Sequence, residues 1–230
     1  MPLQRVRLTQ LASRIILPLI AFVLARVALS IAARSAGYKP MLASTWMRWD
    51  SAHYLSVAAR GYEFFSCARL PGYNPAEFCG NAAWLPGYPL LIRGLTSVGF
   101  TPEQSGVLVA AGFAFAGLLL LWNVFLGPEL NARNLLVLVL AAFFPGHVYC
   151  HAVFPISMCT FFQIAAIKLY ISQQFLLAGI AGFIAAFSYS SGFFLAGVFG
   201  LHLLLWRRDE PLRDQALVLL QVAGLTFPGI

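Results

Sequence analysis

From Gln104 to Leu126 the chain reads QSGVLVAAGFAFAGLLLLWNVFL, an apolar run without one charged residue. A helix needs roughly 20 such residues to cross a hydrocarbon core, so this run reads as a membrane span. Outward from it, further apolar runs lie at 11–33, 134–152, 157–174, 176–190 and 192–206, and another begins near Gln215 and runs to Ile230. Composition agrees: 60% of the 230 residues are hydrophobic and 10% are charged, with a mean hydropathy of +0.79, outside the range of soluble globular domains. The expected fold is all-α and polytopic, with about seven transmembrane helices. It forms a single domain over 1–230, and its last apolar segment is expected to continue beyond Ile230.

A net charge of +7 invites a nucleic-acid reading, but the basic residues cluster at the ends of apolar runs and form no stripe on a polar face, so no nucleic-acid partner is expected. Arg5, Arg7 and Arg14 lie at the start of the first run, and Arg207, Arg208 and Arg213 follow the sixth. Cytoplasmic loops carry an excess of Lys and Arg, which puts both groups inside. Counting passes then leaves 35–103 and 147–157 outside, with 127–133 and 170–176 inside. The first run is too long for a cleaved signal peptide and contains Arg26, so it reads as a retained signal-anchor helix. Ala82 to Val98 contains Pro86, Pro89 and Arg93 and reads as a short or interfacial helix, or as a full span. Ser188-Tyr189-Ser190-Ser191-Gly192 splits the apolar stretch around it into two passes. Trp122 and Trp206, at inner ends of spans, read as interface anchors.

The long outer loop is the one large element outside the spans, and connections of that length are usually functional. Near its start, Trp46-Met47-Arg48-Trp49-Asp50-Ser51-Ala52-His53-Tyr54 gathers an acid, a base and two indoles in a chain with 8 acidic residues in all. Helical spacing predicts an interfacial helix over Ser44 to Gly61, with Trp46, Asp50, His53, Tyr54 and Val57 along one side and Arg48 and Ser51 elsewhere. A Pro/Gly-rich stretch from Leu70 to Pro89 ends in Trp84-Leu85-Pro86-Gly87-Tyr88-Pro89, which fixes a bent, rigid return to the membrane. Cys67 and Cys79 share this loop, as a disulfide around Pro71-Gly72-Tyr73-Asn74-Pro75 or as two free thiols. Cys150 and Cys159 read as small apolar fillers, and the spacing offers no zinc pattern. His147 and His151 either assist a site or are interfacial polar residues. His202 reads as a buried residue with a hydrogen-bond partner.

Arg48-Trp49-Asp50-Ser51-Ala52-His53-Tyr54, then Ala58-Ala59-Arg60-Gly61-Tyr62, then Ala83-Trp84-Leu85-Pro86-Gly87-Tyr88-Pro89-Leu90 and later Phe143-Phe144-Pro145 together resemble the PIG-V type mannosyltransferases. That family includes the second mannosyltransferase of glycosylphosphatidylinositol anchor synthesis. Its pattern reads approximately W-D-x-x-x-Y-x-x-I-A-x-x-G-Y, followed by F-F-P-x-[YF]-P. The resemblance covers 46–98 well and 134–206 loosely. It implies a GT-C membrane glycosyltransferase that takes a sugar, mannose in that family, from a polyprenyl- or dolichyl-phosphate donor. The acceptor is a hydroxyl on a glycolipid or other molecule, and the reaction runs on the non-cytoplasmic face. The membrane implied is the plasma membrane of a prokaryote or the endoplasmic reticulum of a eukaryote.

In this reading Asp50 is the base that accepts the hydroxyl proton as the new bond forms. Phosphate is already a good leaving group, so cationic and hydrogen-bonding donors near it suffice; Arg48, His53, Arg60 and Arg93 are the candidates. Trp49, Tyr54, Tyr62, Trp84 and Tyr88 are candidates for lining the sugar and lipid approach. No resident cofactor is implied beyond the lipid-phosphate sugar donor, and the need for a divalent metal stays open.

A second reading is a noncatalytic membrane subunit that uses the outer loop to bind a partner protein or lipid. It is motivated by Val153-Phe154-Pro155-Ile156-Ser157, which stands where relatives carry an acidic residue, and by Ser188-Tyr189-Ser190-Ser191-Gly192, which has no Arg. A channel or secondary transporter has less support, since no inverted repeat is apparent and no acidic residue falls mid-span.

Overall fold

The computed structural model describes residues 2–69, 72–127, 129–206 and 212–226. It is predominantly helical. Helix α1 covers Pro2–Ser35, α2 Ser51–Arg60, α3 Gly87–Ser97, α4 Pro102–Leu120, α5 Ala132–Phe143, α6 Ile156–Ile171, α7 Phe175–Ser188, α8 Phe194–Trp206 and α9 Leu212–Thr226. A π-helical turn, Leu121–Leu126, extends α4.

Two helical stretches, Ser13–Ser35 and Pro102–Leu126, are long and apolar enough to cross a membrane. The core helix of a soluble protein would pass the same length and composition test, but it would be mostly buried. Here 17% and 28% of the most apolar windows are buried, and Ile15, Leu19, Val23, Val27 and Ile31 of α1 stay exposed. A contiguous apolar face of this kind calls for a cover.

Four other helices are apolar but shorter than the runs suggested. α5, α6, α7 and α8 have 12, 16, 14 and 13 residues, about 18 to 24 Å of helix at 1.5 Å per residue, against a hydrocarbon core of about 30 Å. The run at 134–152 is therefore not one helix. It stops at Phe143, because Pro145 cannot continue the hydrogen-bond ladder, and resumes as a 3-10 turn, Pro145–Cys150. The break between α7 and α8 falls at 189–193, where the sequence places it.

The sequence determines the starts of several helices. Thr101 caps α4 by accepting from the Gln104 amide while the Gln104 side chain accepts from the Thr101 amide, with Pro102 in the first turn, a reciprocal capping box. Asn131 caps α5 through the Asn134 amide. The core forms three clusters: α6 to α9 around Ala178, Ala185, Phe199 and Val222; α2, α3, α4 and the 152–154 segment around Tyr54, Tyr88, Ile92 and Val153; and α1, α4 and α5 around Ala25, Leu118 and Leu138. Trp122 belongs to the third cluster and is fully buried. It is core packing between α1, α4 and α5, which corrects its reading as an interface anchor. The Trp206 side chain lies outside the described residues.

The connection between α1 and α4 also differs from a single helix over Ser44 to Gly61. A 3-10 turn, Ala43–Trp46, comes first; the chain then bends, with Trp49 at φ +50°, and α2 begins only at Ser51. The bend resets the helical phase. Trp46 is buried away from α2, and Ser51, expected to lie elsewhere, joins Tyr54, Leu55 and Ala58 on the inward face at i, i+3, i+4 and i+7. Gly61 ends the helix at φ +83°, a conformation that glycine adopts at least cost. Beyond it an antiparallel ribbon pairs β1 (Phe64–Ser66) with β2 (Phe78–Gly80) in the register Phe65 opposite Cys79. Cys67 and Cys79 are joined as a disulfide, with Cα atoms 5.0 Å apart.

Candidate functional site

Four non-helical or helix-terminal segments, far apart in sequence, meet at one end of the bundle. The Val153 amide donates to the Trp46 carbonyl at 2.9 Å. The Ser51 hydroxyl lies 2.9 Å from the Val153 carbonyl and accepts from the Arg48 amide at 2.8 Å. These bonds tie the bend before α2 to the segment between α5 and α6. Phe154 packs edge-on to Tyr54 at 5.5 Å and reaches Tyr189, at the break after α7, at 5.9 Å. The Trp84–Tyr88 motif enters through Gly87, where a Cβ would stand 2.7 Å from the Phe187 carbonyl oxygen, so a side chain there would hold α3 off the end of α7. Gly106 has the same role under Val153, whose Cγ1 would be 2.6 Å from an added Cβ. The opposite end of the bundle is marked by Asn123, which donates to the Arg14 carbonyl at 3.0 Å. The 46–51, 149–154 and 189–193 segments thus share one end.

Asp50 stands at this junction. It occupies the N-cap position of α2, and its carbonyl accepts from the His53 amide at 2.9 Å, yet its side chain makes no capping bond. The residue is exposed, and its carboxylate has no ion pair among the described residues. On one side Trp49, 53% exposed, packs on Tyr149 with ring centroids 4.2 Å apart. On the other, His53 stacks flat on Trp84 at 3.6 Å and 10°, and Tyr62 donates to the Trp84 carbonyl at 3.0 Å. Tyr54 lies beneath, 2% exposed. Its phenol is pushed above the ordinary tyrosine value by burial first, then by Tyr189 and Asp50.

The expected donors divide. Arg48 lies two residues before Asp50 in the chain and packs over the Tyr38 ring at 4.3 Å, with Nη1 donating to the Met47 carbonyl at 3.2 Å. His53 lies one turn into α2, against Trp84. Arg60 and Arg93 do not join them. Arg60 is at the far end of the 10-residue α2, about 15 Å along the axis from Asp50, where Nε meets Glu63 at 2.8 Å and Nη2 donates to Ser56 at 3.1 Å. That contact holds the Glu63 carboxyl below its usual range and raises the Arg60 guanidinium. Arg93 caps the C-terminus of α2, donating from Nε to Ala58 at 2.7 Å and from Nη2 to Val57 at 3.1 Å, a carbonyl that also accepts from the Gly61 amide. Tyr88 also leaves the lining: it is fully buried, with its hydroxyl donating to the Gly106 carbonyl at 2.7 Å. Arg93 and Tyr88 thus serve the frame, and Arg60 sits in an exposed ion pair.

Other residues emerge only from the packing. Asn81 ties the loop after α2, donating to Ser56 at 3.0 Å and to the Gly61 carbonyl at 3.1 Å while accepting from the Glu63 amide at 2.9 Å; nothing in its sequence context marks it. Arg26 of α1 reaches the same end of the bundle, its guanidinium 3.7 Å over the Trp46 ring and Nη1 donating to the His151 carbonyl at 3.1 Å. An arginine inside an apolar run is itself a signal. His147 and His151 are buried, with their rings 4.8 Å apart and no partner for their ring nitrogens among the described residues. His202 meets the Tyr170 hydroxyl at 2.9 Å, and Cys150 and Cys159 are buried free thiols. Among the described residues no group of three or more His, Cys, Asp or Glu side chains could hold a metal ion.

Comparison with protein-family models, with curated proteins and with solved structures finds no match to this chain.

Proposed function

We propose that the protein is a GT-C-like membrane glycosyltransferase of PIG-V type, with Asp50 as the base that activates the acceptor hydroxyl. The reading takes the apolar helices as a multi-pass bundle of about seven passes and puts the Asp50 end on the non-cytoplasmic face. The observation that carries it is the placement of Asp50: an exposed carboxylate with no ion pair among the described residues, flanked in the chain by Trp49 and His53 with their ring partners Tyr149 and Trp84, where the segments after α1, α5 and α7 meet. Irregular backbone at membrane depth is tolerated where it is packed in protein or lines a cavity. Convergence of several such segments on one acid is what a site at that depth requires.

The residues of the resemblance also receive physical roles. Ser51 and Tyr54 anchor α2, Gly61 ends it, Tyr62 braces Trp84, and Gly87 and Tyr88 lock α3 against α7 and α4. They hold Asp50 and the aromatic rings in fixed relation.

In the reaction the acceptor oxygen attacks the anomeric carbon of the lipid-phosphate sugar, its proton passes to the Asp50 carboxylate, and the bond to the phosphate oxygen breaks with inversion. Flat rings suit the apolar faces of a sugar, and Arg48 and His53 are the nearest candidates in sequence for meeting the phosphate. The donor is a polyprenyl- or dolichyl-phosphate sugar, with mannose the family's sugar, and the acceptor is a glycolipid or other hydroxyl compound. General-base catalysis contributes roughly 10²- to 10⁴-fold, so Asp50→Asn is expected to lower transfer of labelled mannose from a polyprenyl-phosphate donor in membranes by that order. Transfer at the wild-type rate would refute the role.

One observation favours a noncatalytic membrane subunit instead. Arg60 and Arg93, expected to bind phosphate, are occupied within the frame of α2. Co-purification with a stoichiometric membrane partner whose activity ignores Asp50→Asn would select that reading.

A further inference from the structure

Arg26 borders an open cavity of about 340 Å³ between α1, the turn before α2 and the start of α4, shared with Met41, Trp46, Phe100, Gln104 and Leu108. We propose that this cavity binds the phosphate group of an anionic lipid, with Arg26 as the charged ligand and the lipid chain lying along the exposed apolar side of α1 and α4. The proposal does not depend on sugar transfer; it concerns binding alone.

Three observations carry it. First, Arg26 has no acidic partner among the described residues. One of its N–H groups goes to the His151 carbonyl and its plane lies on Trp46, so of the five donors a guanidinium carries, others remain for a ligand. Second, the indole beneath it is fixed, because Trp46 Nε1 donates to the Pro40 carbonyl at 2.9 Å. The guanidinium is thereby pre-oriented, which favours two-point recognition of phosphate. Third, the other polar side chain on the wall is also a donor. The Gln104 side-chain carbonyl accepts from the Thr101 amide in the capping box, its NH₂ group makes no hydrogen bond among the described residues, and no carboxylate lines the space. A cavity with two donors, no acid and otherwise apolar walls selects an anion carried on an apolar body.

Position argues for a lipid over a soluble anion. Arg26 lies about 13 Å before the end of α1 at Ser35, flanked by exposed Val23 and Val27, and exposed Leu108 of α4 is on the cavity wall. A free phosphate would have to leave water for this apolar rim, whereas a lipid phosphate arrives with a chain that prefers it.

The test uses the full chain in detergent and counts retained lipid by native mass spectrometry. The probes are a polyprenyl phosphate, phosphatidic acid, phosphatidylcholine and inorganic phosphate. Wild type should retain at least one of the two anionic lipids over phosphatidylcholine; a polyprenyl phosphate preference identifies a donor-type lipid, and equal retention a general anionic headgroup. Arg26→Gln should weaken retention about tenfold or more, the worth of a charge-assisted pair, with Arg26→Lys intermediate. Leu108→Trp, which narrows the cavity from the α4 wall and replaces no group that Arg26 bonds to, should weaken it too and decides the matter if Arg26→Gln fails to fold. Unchanged retention in folded Arg26→Gln or in Leu108→Trp would overturn the proposal, as would inorganic phosphate competing as strongly as the lipids.

Discussion

Trp46 and Val153 are joined by a backbone hydrogen bond of 2.9 Å from the Val153 amide to the Trp46 carbonyl. That bond puts the segment between α5 and α6 against the bend that presents Asp50. A site assembled in this way depends on bonds between loops as much as on the helices.

Ser51 is the side-chain half of that joint. Its buried hydroxyl bridges the Arg48 backbone and the Val153 carbonyl. Ser51→Ala is expected to cost about 1 to 3 kcal/mol, because a buried carbonyl and amide lose their partner. Thermal unfolding in detergent measures the loss, and proteolysis should show the bend before α2 opening first. Ser51→Thr, which keeps the hydroxyl, should recover part of it.

Asp50 predicts the opposite pattern. Its side chain neither caps α2 nor pairs with a cation among the described residues, so Asp50→Asn should leave the stability within about 0.5 kcal/mol of wild type. Any loss of transfer is then chemical, not structural. A large fall in melting temperature would show that the carboxylate holds the fold.

Arg60 and Arg93, alike in sequence, should part in experiment. Arg93→Met removes two charge-assisted bonds to the Val57 and Ala58 carbonyls and should destabilise by about 2 kcal/mol. Arg60→Met should cost little, since its pair with Glu63 is exposed to water and screened by salt. The Arg60 guanidinium holds the Glu63 carboxyl below the ordinary glutamate value, so the pair's contribution is present above that ordinary value and is lost as pH falls through the lower folded value. A small decline in stability there, absent in Glu63→Gln and in high salt, checks the sign.

The Cys67–Cys79 disulfide closes a loop with a sequence separation of 12. A crosslink of that span is worth about 3 kcal/mol by chain entropy. That figure bears on the β1–β2 ribbon, so reduction or Cys79→Ser should speed proteolysis between the two cysteines. The bundle itself should melt as before, because the cysteines lie on the ribbon and not between long helices.

Much of the architecture is legible in residue order. Apolar runs give the helical segments, the Ser188–Gly192 break falls where the structure breaks, and Thr101 and Asn131 start α4 and α5 through bonds to residues three positions away. The candidate site is legible in part: Trp49, Asp50 and His53 follow one another at the start of α2 and His53 meets Trp84, while Arg93 and Tyr88 turn to the frame and Arg60 pairs with Glu63 in solvent. A basic or phenolic residue in a loop looks the same in sequence whether its partner is a ligand or a carbonyl many residues away.

By itself the sequence determined what short-range physics controls: which stretches are apolar enough to be helices, where proline, glycine and capping residues stop and start them, and that an acid beside indoles follows the first run. Only the tertiary structure decided the rest. It set the phase of α2, through a positive φ at Trp49 that no spacing rule anticipates; the burial of Trp46 and Trp122; the meeting of Trp46 with Val153; and the position of Arg26 on a cavity wall. Such features depend on contacts between residues distant along the chain, whose cost and gain exist only once helices have packed and closed the loops between them.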